Sequence, residues 1–215
     1  IASETTYLYA PLAHRLGLYA IKSDLEDQAL KYTHPEIFET IATKLRESEL
    51  ERKRFINRFI FPIKKALNQE GLSYKIIHRT KSINSIWKKM KKKEIPFEEV
   101  YDLFAIRIVV DTPIEQEKQD CWRVYSLVTD FYRPKMDRLR DWISIPKANG
   151  YESLHTTVMS TEGKWVEIQI RSQRMDDIAE RGFAAHWKYK GDGSVNDLGL
   201  DNWLAKIREW LQNPE

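Results

Sequence analysis

The sequence predicts an α/β protein, a mixed β-sheet flanked by helices and preceded by an all-helical segment. Three observations carry this. Residues 2 to about 69 read as helical throughout, with apolar side chains recurring at helical spacing between dense charges. From Leu72 onward, short β-rich runs alternate with amphipathic helical stretches. Within that second part, Trp165 to Arg171 alternates strictly, with Val166, Ile168 and Ile170 on one face and Glu167, Gln169 and Arg171 on the other.

In the helical part, Tyr7, Leu8, Pro11, Leu12, Leu16 and Leu18 mark a first helix, interrupted near Gly17. Ser23-Asp-Leu-Glu-Asp-Gln reads as the start of a second, with Ser23 as N-cap and acidic residues in the first turn. A third begins at Thr33-His-Pro-Glu, where Pro35 suits the first helical position. Its rhythm of Phe38, Ile41, Leu45, Leu50, Phe55, Phe59 and Ile63 runs on to Asn68, with a kink expected at Pro62 and an end near Gly71. His14 and His34 read as structural or exposed, because neither has a second ligand at metal spacing.

In the α/β part, Leu72 to Arg79 is a strand leading through Thr80-Lys81 into a helix capped by Ser82. Ile83, Ile86, Trp87 and Met90 form its buried stripe, and Lys81, Ser85, Lys88, Lys89 and Lys92 lie off it. Those lysines describe either a solvated face or, with Arg79 and a helix N-terminus beside them, a phosphate site. Tyr101-Asp102 precedes Leu103 to Val110, a buried strand interrupted by Arg107, and a lone Arg there needs a partner or a ligand. Asp102 is a candidate partner, although the odd spacing sets it on the opposite face of a regular strand.

Thr112 to Lys118 is a polar loop, Gln119 to Phe131 an amphipathic helix, and Arg133 to Asp141 a charged connector read as mobile. Trp142 to Ile145 is an apolar, strand-like piece running into the turn Pro146-Lys-Ala-Asn-Gly150, where Asn149-Gly150 favours positive φ. Leu154 to Met159 is a further strand. After Arg171 a helix carries Met175, Ile178, Ala179, Phe183 and Trp187, with His186 read as structural; beyond Gly191-Asp-Gly-Ser a last helix spans Leu198 to Leu211. The chain thus divides into a helical segment (1–70), an α/β domain (71–192) and a C-terminal helix packed upon it (193–215).

At 215 residues, 42% hydrophobic and 31% charged, the chain is an ordinary globular protein. A net charge of +3, from 35 Lys and Arg against 32 Asp and Glu, argues against a general polyanion or DNA binder, so any basic site is local. Cys121 is the single cysteine, which excludes a disulfide framework and fits a reducing, cytoplasmic setting. No membrane-spanning run or signal peptide is expected, and an initial Ile in place of Met suggests a piece of a longer chain. Around the Pro146–Gly150 turn, Lys147, Asn149, Tyr151 and His155 offer a cation, an amide, an aromatic face and an imidazole, a set that suits a nucleotide. The alternating row could aim the Glu167 carboxylate into the same pocket, although a half-exposed strand shows such a row too.

Several ordered blocks resemble the synthetase domain of the RelA/SpoT family of (p)ppGpp synthetases. They are His78-Arg-Thr-Lys-Ser-Ile-Asn-Ser-Ile-Trp-Lys-Lys, Tyr101-Asp-Leu-Phe-Ala-Ile-Arg, Arg138-Leu-Arg-Asp, Pro146-Lys-Ala-Asn-Gly-Tyr-Glu-Ser-Leu-His-Thr-Thr, Val166-Glu-Ile-Gln-Ile-Arg and Ala184-Ala-His-Trp. Tyr9-Ala-Pro-Leu-Ala-His-Arg-Leu-Gly resembles the family's connection from hydrolase to synthetase domain. The resemblance implies a nucleotidyltransferase-like fold that moves the β,γ-pyrophosphate of ATP onto the 3′-hydroxyl of GDP or GTP, releasing AMP. It implies that Asp102 and Glu167 hold Mg²⁺, with Glu167 also a candidate acceptor of the hydroxyl proton. Arg79 and Arg107 would sandwich adenine, and Lys81, Ser85 and Lys89 would bind the ATP phosphates. Tyr151 would stack on guanine with Asn149 at the base edge, Lys147 and His155 near the acceptor's phosphates, and Gln169 at its ribose or supporting the metal. In the connector, bifunctional members read Arg-x-Lys-Asp and synthetase-only members are acidic; Arg138-Leu-Arg-Asp keeps the charge with Arg140, a catalytic candidate, in place of Lys. Expected partners are hydrolase and regulatory domains of the same polypeptide, with ribosome association through them, and no membrane. The rival readings are a nucleotidyltransferase acting on RNA ends, for which the Gly-Ser turn and close Asp-x-Asp pair are absent, a non-catalytic nucleotide- or RNA-binding module, and a pseudo-enzyme.

Overall fold

The computed structural model describes residues 1–16, 18–100, 103–147 and 150–181. The expectations at Gly17, Phe183, His186, Trp187 and the C-terminal helix lie outside the described residues. At the N-terminus α1 (Ala2–Glu4), a π-helical turn (Thr5–Tyr9) and α2 (Ala10–Arg15) run in succession, followed by α3 (Tyr19–Thr33), α4 (Pro35–Glu47) and α5 (Glu49–Gln69). Pro35 opens α4 as its sequence position predicts.

Two helix expectations are corrected. Ser23 does not cap α3, which begins four residues earlier; its hydroxyl donates back to the Tyr19 carbonyl at 2.9 Å, the usual way a mid-helix serine satisfies itself. The long third helix breaks at Ser48, whose hydroxyl caps back onto the Lys44 carbonyl at 2.8 Å while the Arg52 guanidinium spans the break to Leu45 O at 3.0 Å. Pro62 stays inside α5 because Phe55, Ile56, Phe59, Ile60, Ile63, Ala66 and Leu67 bury one face of that helix. Packing of that extent outweighs the roughly 3 kcal/mol that an interior proline costs.

The sheet comprises β1 (Tyr74–Thr80), β2 (Phe104–Val110), β3 (Arg140–Asp141), β4 (Leu154–Met159) and β5 (Trp165–Ser172) in the order β1-β2-β5-β4-β3. Only β2 and β5 run parallel; the other neighbours are antiparallel. The remaining helices are α6 (Ile83–Lys93), α7 (Glu117–Phe131) and α8 (Gln173–Arg181). One face of the sheet supplies Ile106, Ile108, Leu154, Val158, Ile168 and Ile170 to a core completed by Phe59, Ile63 and Leu67 of α5 and Cys121, Val124 and Val128 of α7. Tyr132 locks this layer, stacking on Phe59 at 4.3 Å and donating to its carbonyl at 2.8 Å. The predicted stripe of α6 forms a second, smaller cluster with Ile41, Phe97 and Val100.

Trp142 to Ile145 is a turn, not a strand. The Asp141 carboxylate accepts from the Ile143 and Ser144 amides at 3.1 and 2.8 Å, which bends the chain and leaves Ile145 74% exposed. Nor is the connector before it free. Lys135 N donates to Thr157 O at 2.8 Å and Met159 N to Arg133 O at 2.9 Å, which ties the segment to the β4 edge. Gly150 takes the positive φ expected of it, +73°.

Candidate active site

Strand register decides which side chains meet. Arg79, Ala105, Glu167 and Thr157 lie opposite one another across β1, β2, β5 and β4, and Ile77, Arg107, Gln169 and His155 form the next row. Both rows occupy the face away from the α5–α7 core, because side chains in register share a face. Over this face opens a cavity of about 460 Å³ lined by Arg79, Lys81, Ser85, Lys89, Arg107, Glu167 and Gln169. The five residues expected at ATP thus converge on one space with the expected catalytic carboxylate. Lys88, Lys92 and Ser23 line it too.

Helix α6 places the lysines. Ser82 caps it as predicted, accepting from the Ser85 amide at 3.3 Å and donating to the Ser85 hydroxyl at 2.7 Å. The helix N-terminus itself is not open to an anion, because the Asp27 carboxylate of α3 accepts from the Ile83 and Asn84 amides at 3.1 and 2.8 Å. Anion binding here falls to the side chains of α6 and of Arg79 and Lys81 before it.

Glu167 is held from two sides. Gln169 donates to its Oε1 at 3.1 Å, and Lys81 Nζ lies 3.6 Å from its Oε2. Gln169 is in turn oriented by Arg171, which donates to its Oε1 at 2.7 Å. A second cavity of about 150 Å³, lined by Lys89, Glu99, Lys135, Arg138 and Thr157 among others, also reaches Glu167, so this carboxylate stands in the wall between two spaces.

The partner of Arg107 is on α8. Its Nη1 meets Asp176 at 3.0 Å and Glu180 at 2.7 Å, while Arg171, 1% exposed, lies 3.5 Å from the same Asp176 oxygen. Arg107 Nε and Arg171 Nε and Nη1 make no hydrogen bond among the described residues. Buried Arg171 and partly buried Arg107 share Asp176, with Glu180 a second carboxylate on Arg107, and these three nitrogens leave donors suited to an electron-rich ligand.

Tyr151, His155 and Lys147 form a neighbouring group. The Tyr151 ring is only 8% exposed and meets Tyr19 edge-on at 5.7 Å. Lys147 Nζ stands 4.8 Å from this ring and 4.8 Å from that of Trp142. The Tyr151 ring, expected to stack on guanine, is therefore covered, with the Arg171 guanidinium 5.4 Å from it as well. The Tyr151 hydroxyl and His155 Nε2 share a 2.8 Å hydrogen bond. Burial pulls the His155 pKa down to about 4; Glu167 opposes this, and Arg171, Lys147 and Arg107 add to it. His155 is accordingly a neutral hydrogen-bonding group at neutral pH. Burial likewise lowers Lys147 and raises Tyr151.

Arg140 departs from expectation. It is exposed, and its Nη1 folds back onto the Asp137 and Leu139 carbonyls at 2.9 and 2.8 Å. β3 brings its backbone beside His155, yet the side chain lines neither cavity. Asp102 and Asn149 lie outside the described residues. Sequence reasoning missed Asp176 and Ser23 as neighbours of the site. Arg171 was visible as the third member of the polar row on β5, but its role as a support for Gln169 was not.

The residues present fit Mg²⁺. That ion binds through one or two carboxylates plus substrate phosphates rather than a cage of protein ligands. Glu167 supplies a hard oxygen donor beside a basic cavity, and among the described residues no group of three His, Cys, Asp or Glu gathers to form such a cage.

Comparison with known proteins bears on this site. The family described as "Region found in RelA / SpoT proteins" matches residues 78–194. A guanosine-3′,5′-bis(diphosphate) 3′-pyrophosphohydrolase of Aquifex aeolicus is 40% identical over 213 residues, covering 99% of this chain and 30% of that protein. A GTP pyrophosphokinase of Escherichia coli K12 is 40% identical over 216 residues, covering 98% of this chain and 28% of that protein. The chain thus spans less than a third of the length of these curated relatives. The crystal structure of small alarmone synthetase 2 from Bacillus subtilis superposes with a TM-score of 0.50 at 24% identity, covering 78% of this chain and 94% of the other, which shows the shared fold. With the family match covering more than half of the chain, from the end of β1 through β5, this chain belongs to the RelA/SpoT family.

Proposed function

We propose that the chain transfers the β,γ-pyrophosphate of ATP to the 3′-hydroxyl of GDP or GTP, yielding AMP and ppGpp or pppGpp. The observation that carries this is the convergence of Arg79, Lys81, Ser85, Lys89 and Arg107 with Glu167 and Gln169 on one cavity. Phosphoryl-type transfer asks the protein for positioning and for charge around the reacting phosphates more than for covalent help. In this reading Arg79 and Arg107 flank the adenine, and Lys81, Ser85 and Lys89 hold the phosphates. Glu167 takes the proton of the 3′-hydroxyl; the 3′-oxygen bonds to the β-phosphorus as the α,β-bridging P–O bond breaks, and AMP leaves. Gln169 fixes the Glu167 carboxylate, and Arg171 fixes Gln169. Glu167, with Asp102, would hold Mg²⁺, which would supply neutralisation of phosphate charge. On the acceptor side Lys147 leaves the Tyr151 ring for the acceptor's phosphates, freeing the ring for guanine, and His155 donates or accepts a hydrogen bond as a neutral group. Asn149 at the base edge and Arg140 beside the acceptor complete the assignment, the latter after its side chain swings off its own turn. A cytoplasmic setting, and control by hydrolase and regulatory domains of a longer polypeptide with ribosome association through them, belong to the same reading.

The test incubates the protein with Mg²⁺, labelled ATP and GDP and resolves the products beside Glu167→Gln. AMP and ppGpp in equal amounts, reduced at least about a hundred-fold in the variant while both nucleotides still bind, is the expected outcome. Binding of neither nucleotide to the unsubstituted protein would sink the proposal.

A further inference from the structure

We infer that helix α3 is a positioning element shared by both nucleotide pockets, in which Asp27 holds the phosphate-binding helix α6 and Tyr19 backs the Tyr151 ring. The identity of the two nucleotides rests on the pyrophosphokinase reading; the placement of α3 does not.

Tyr19, Ser23 and Asp27 are spaced four residues apart and so share one face of α3. At one end of that face Tyr19 meets Tyr151, with ring centroids 5.7 Å apart. One turn on, Ser23 Oγ lies 3.5 Å from Arg79 Nη2 at the rim of the larger cavity. A further turn on, both Asp27 oxygens accept from the first amides of α6. Beside it, Glu26 accepts from Lys88 at 2.9 Å.

These contacts have different targets. An α-helix begins with amides that have no partner inside it. Asp27 takes two of them in charge-assisted hydrogen bonds, which fixes where α6 starts and hence where Ser85 and Lys89 stand over the cavity. The ring of Tyr19 meets those of His14 and Tyr151. It helps close the Tyr151 ring from solvent and so sets the position of the acceptor's platform. A helix contributed by the N-terminal segment therefore contacts the walls of both pockets, in addition to the link that Arg171 of β5 makes between Gln169 and Tyr151.

The two contacts predict opposite selectivities. In the full chain, Asp27→Ala should weaken a non-hydrolysable ATP analogue and raise the KM for ATP by roughly ten-fold, the effect of losing charge-assisted hydrogen bonds, with GDP changed less than about two-fold. Asp27→Asn, which keeps one acceptor oxygen, should recover part of that loss. Tyr19→Ala should do the reverse, weakening GDP by roughly five-fold and sparing the ATP analogue, and Tyr19→Phe, which keeps the ring, should restore GDP binding. The measurement is calorimetric binding of each nucleotide to each variant, with product formation followed alongside. Equal weakening of both nucleotides by either alanine variant, or no weakening by either, overturns the inference. Should Asp27→Ala fail to fold, Asp27→Asn and the Tyr19 pair carry the same comparison. An unsubstituted protein that binds both nucleotides with this split in its variants, yet makes no AMP, overturns the pyrophosphokinase reading and leaves the role of α3 standing.

Discussion

His155 sits in an environment that keeps a histidine neutral. It lies in register with Gln169 and Arg140, bonded to the Tyr151 hydroxyl and surrounded by more cationic than anionic neighbours. Its folded pKa of about 4 lies below the ordinary value of 6.5, so between these pH values the unfolded chain binds the extra proton. Stability therefore rises with pH across that window: the contribution is complete above about pH 6.5 and is lost as pH falls toward 4. Urea midpoints measured at about pH 7 and about pH 5 should fall on acidification, and His155→Gln should shrink the fall. A variant with the unchanged pH dependence would show that another group carries it. The same neutrality predicts no break near pH 6.5 in the pH–rate profile that vanishes with His155→Gln.

At the scale of elements, α6 and β5 were readable because each repeats its own rule. The stripe of Ile83, Ile86, Trp87 and Met90 is local periodicity, and so is the alternation that sends Glu167, Gln169 and Arg171 to the cavity face. Ser82 was readable as a cap for the same reason, three residues from the amide it accepts. Removing it in Ser82→Ala should cost about 1 kcal/mol, seen as a lower urea midpoint, with Asp27 keeping its two amides and the helix in place. A loss near zero would mean that Asp27 alone secures this end. Features set by distant partners were not readable. Asp27 caps α6 across 56 and 57 residues, and Arg107 reaches 69 residues ahead to Asp176. Local spacing carries no sign of such pairs. Trp142 to Ile145 misled for the opposite reason, since four apolar-leaning residues read as a strand until the Asp141 side chain claims two of their amides. Tyr151 was legible as an aromatic at the turn, but its closure by Tyr19 and Lys147 depends on elements far away or on a rotamer.

At the scale of the whole molecule, Arg174 joins α8, α7 and the loop before β4. Arg174 of α8 forks onto Glu117 at the start of α7, with contacts of 2.7 to 3.1 Å, and onto Glu152 beside Tyr151 at 2.9 Å. The hydroxyl of Ser172 at the end of β5 donates to Glu117 at 2.6 Å. Glu117 is only 4% exposed; burial, with the Glu117 charge added to it, pushes the nearby Cys121 thiol up to about 12, so that cysteine stays protonated and unreactive. These carboxylates also lift the Arg174 pKa above its ordinary value, so the arginine is charged at every pH of interest. Removing one partner of a buried, hydrogen-bonded ion pair leaves the other charge desolvated and alone. Arg174→Ala should therefore cost about 3–5 kcal/mol, against the fraction of a kcal/mol expected of a surface pair. Arg174→Lys should recover only part, because an ammonium cannot serve two carboxylates in a planar fork. The decisive comparison is the double variant Arg174→Ala with Glu117→Gln, measured by urea denaturation. Neutralising the orphaned carboxylate should return about 1–2 kcal/mol of the loss, whereas additive losses would mean that the arginine acts through packing rather than charge.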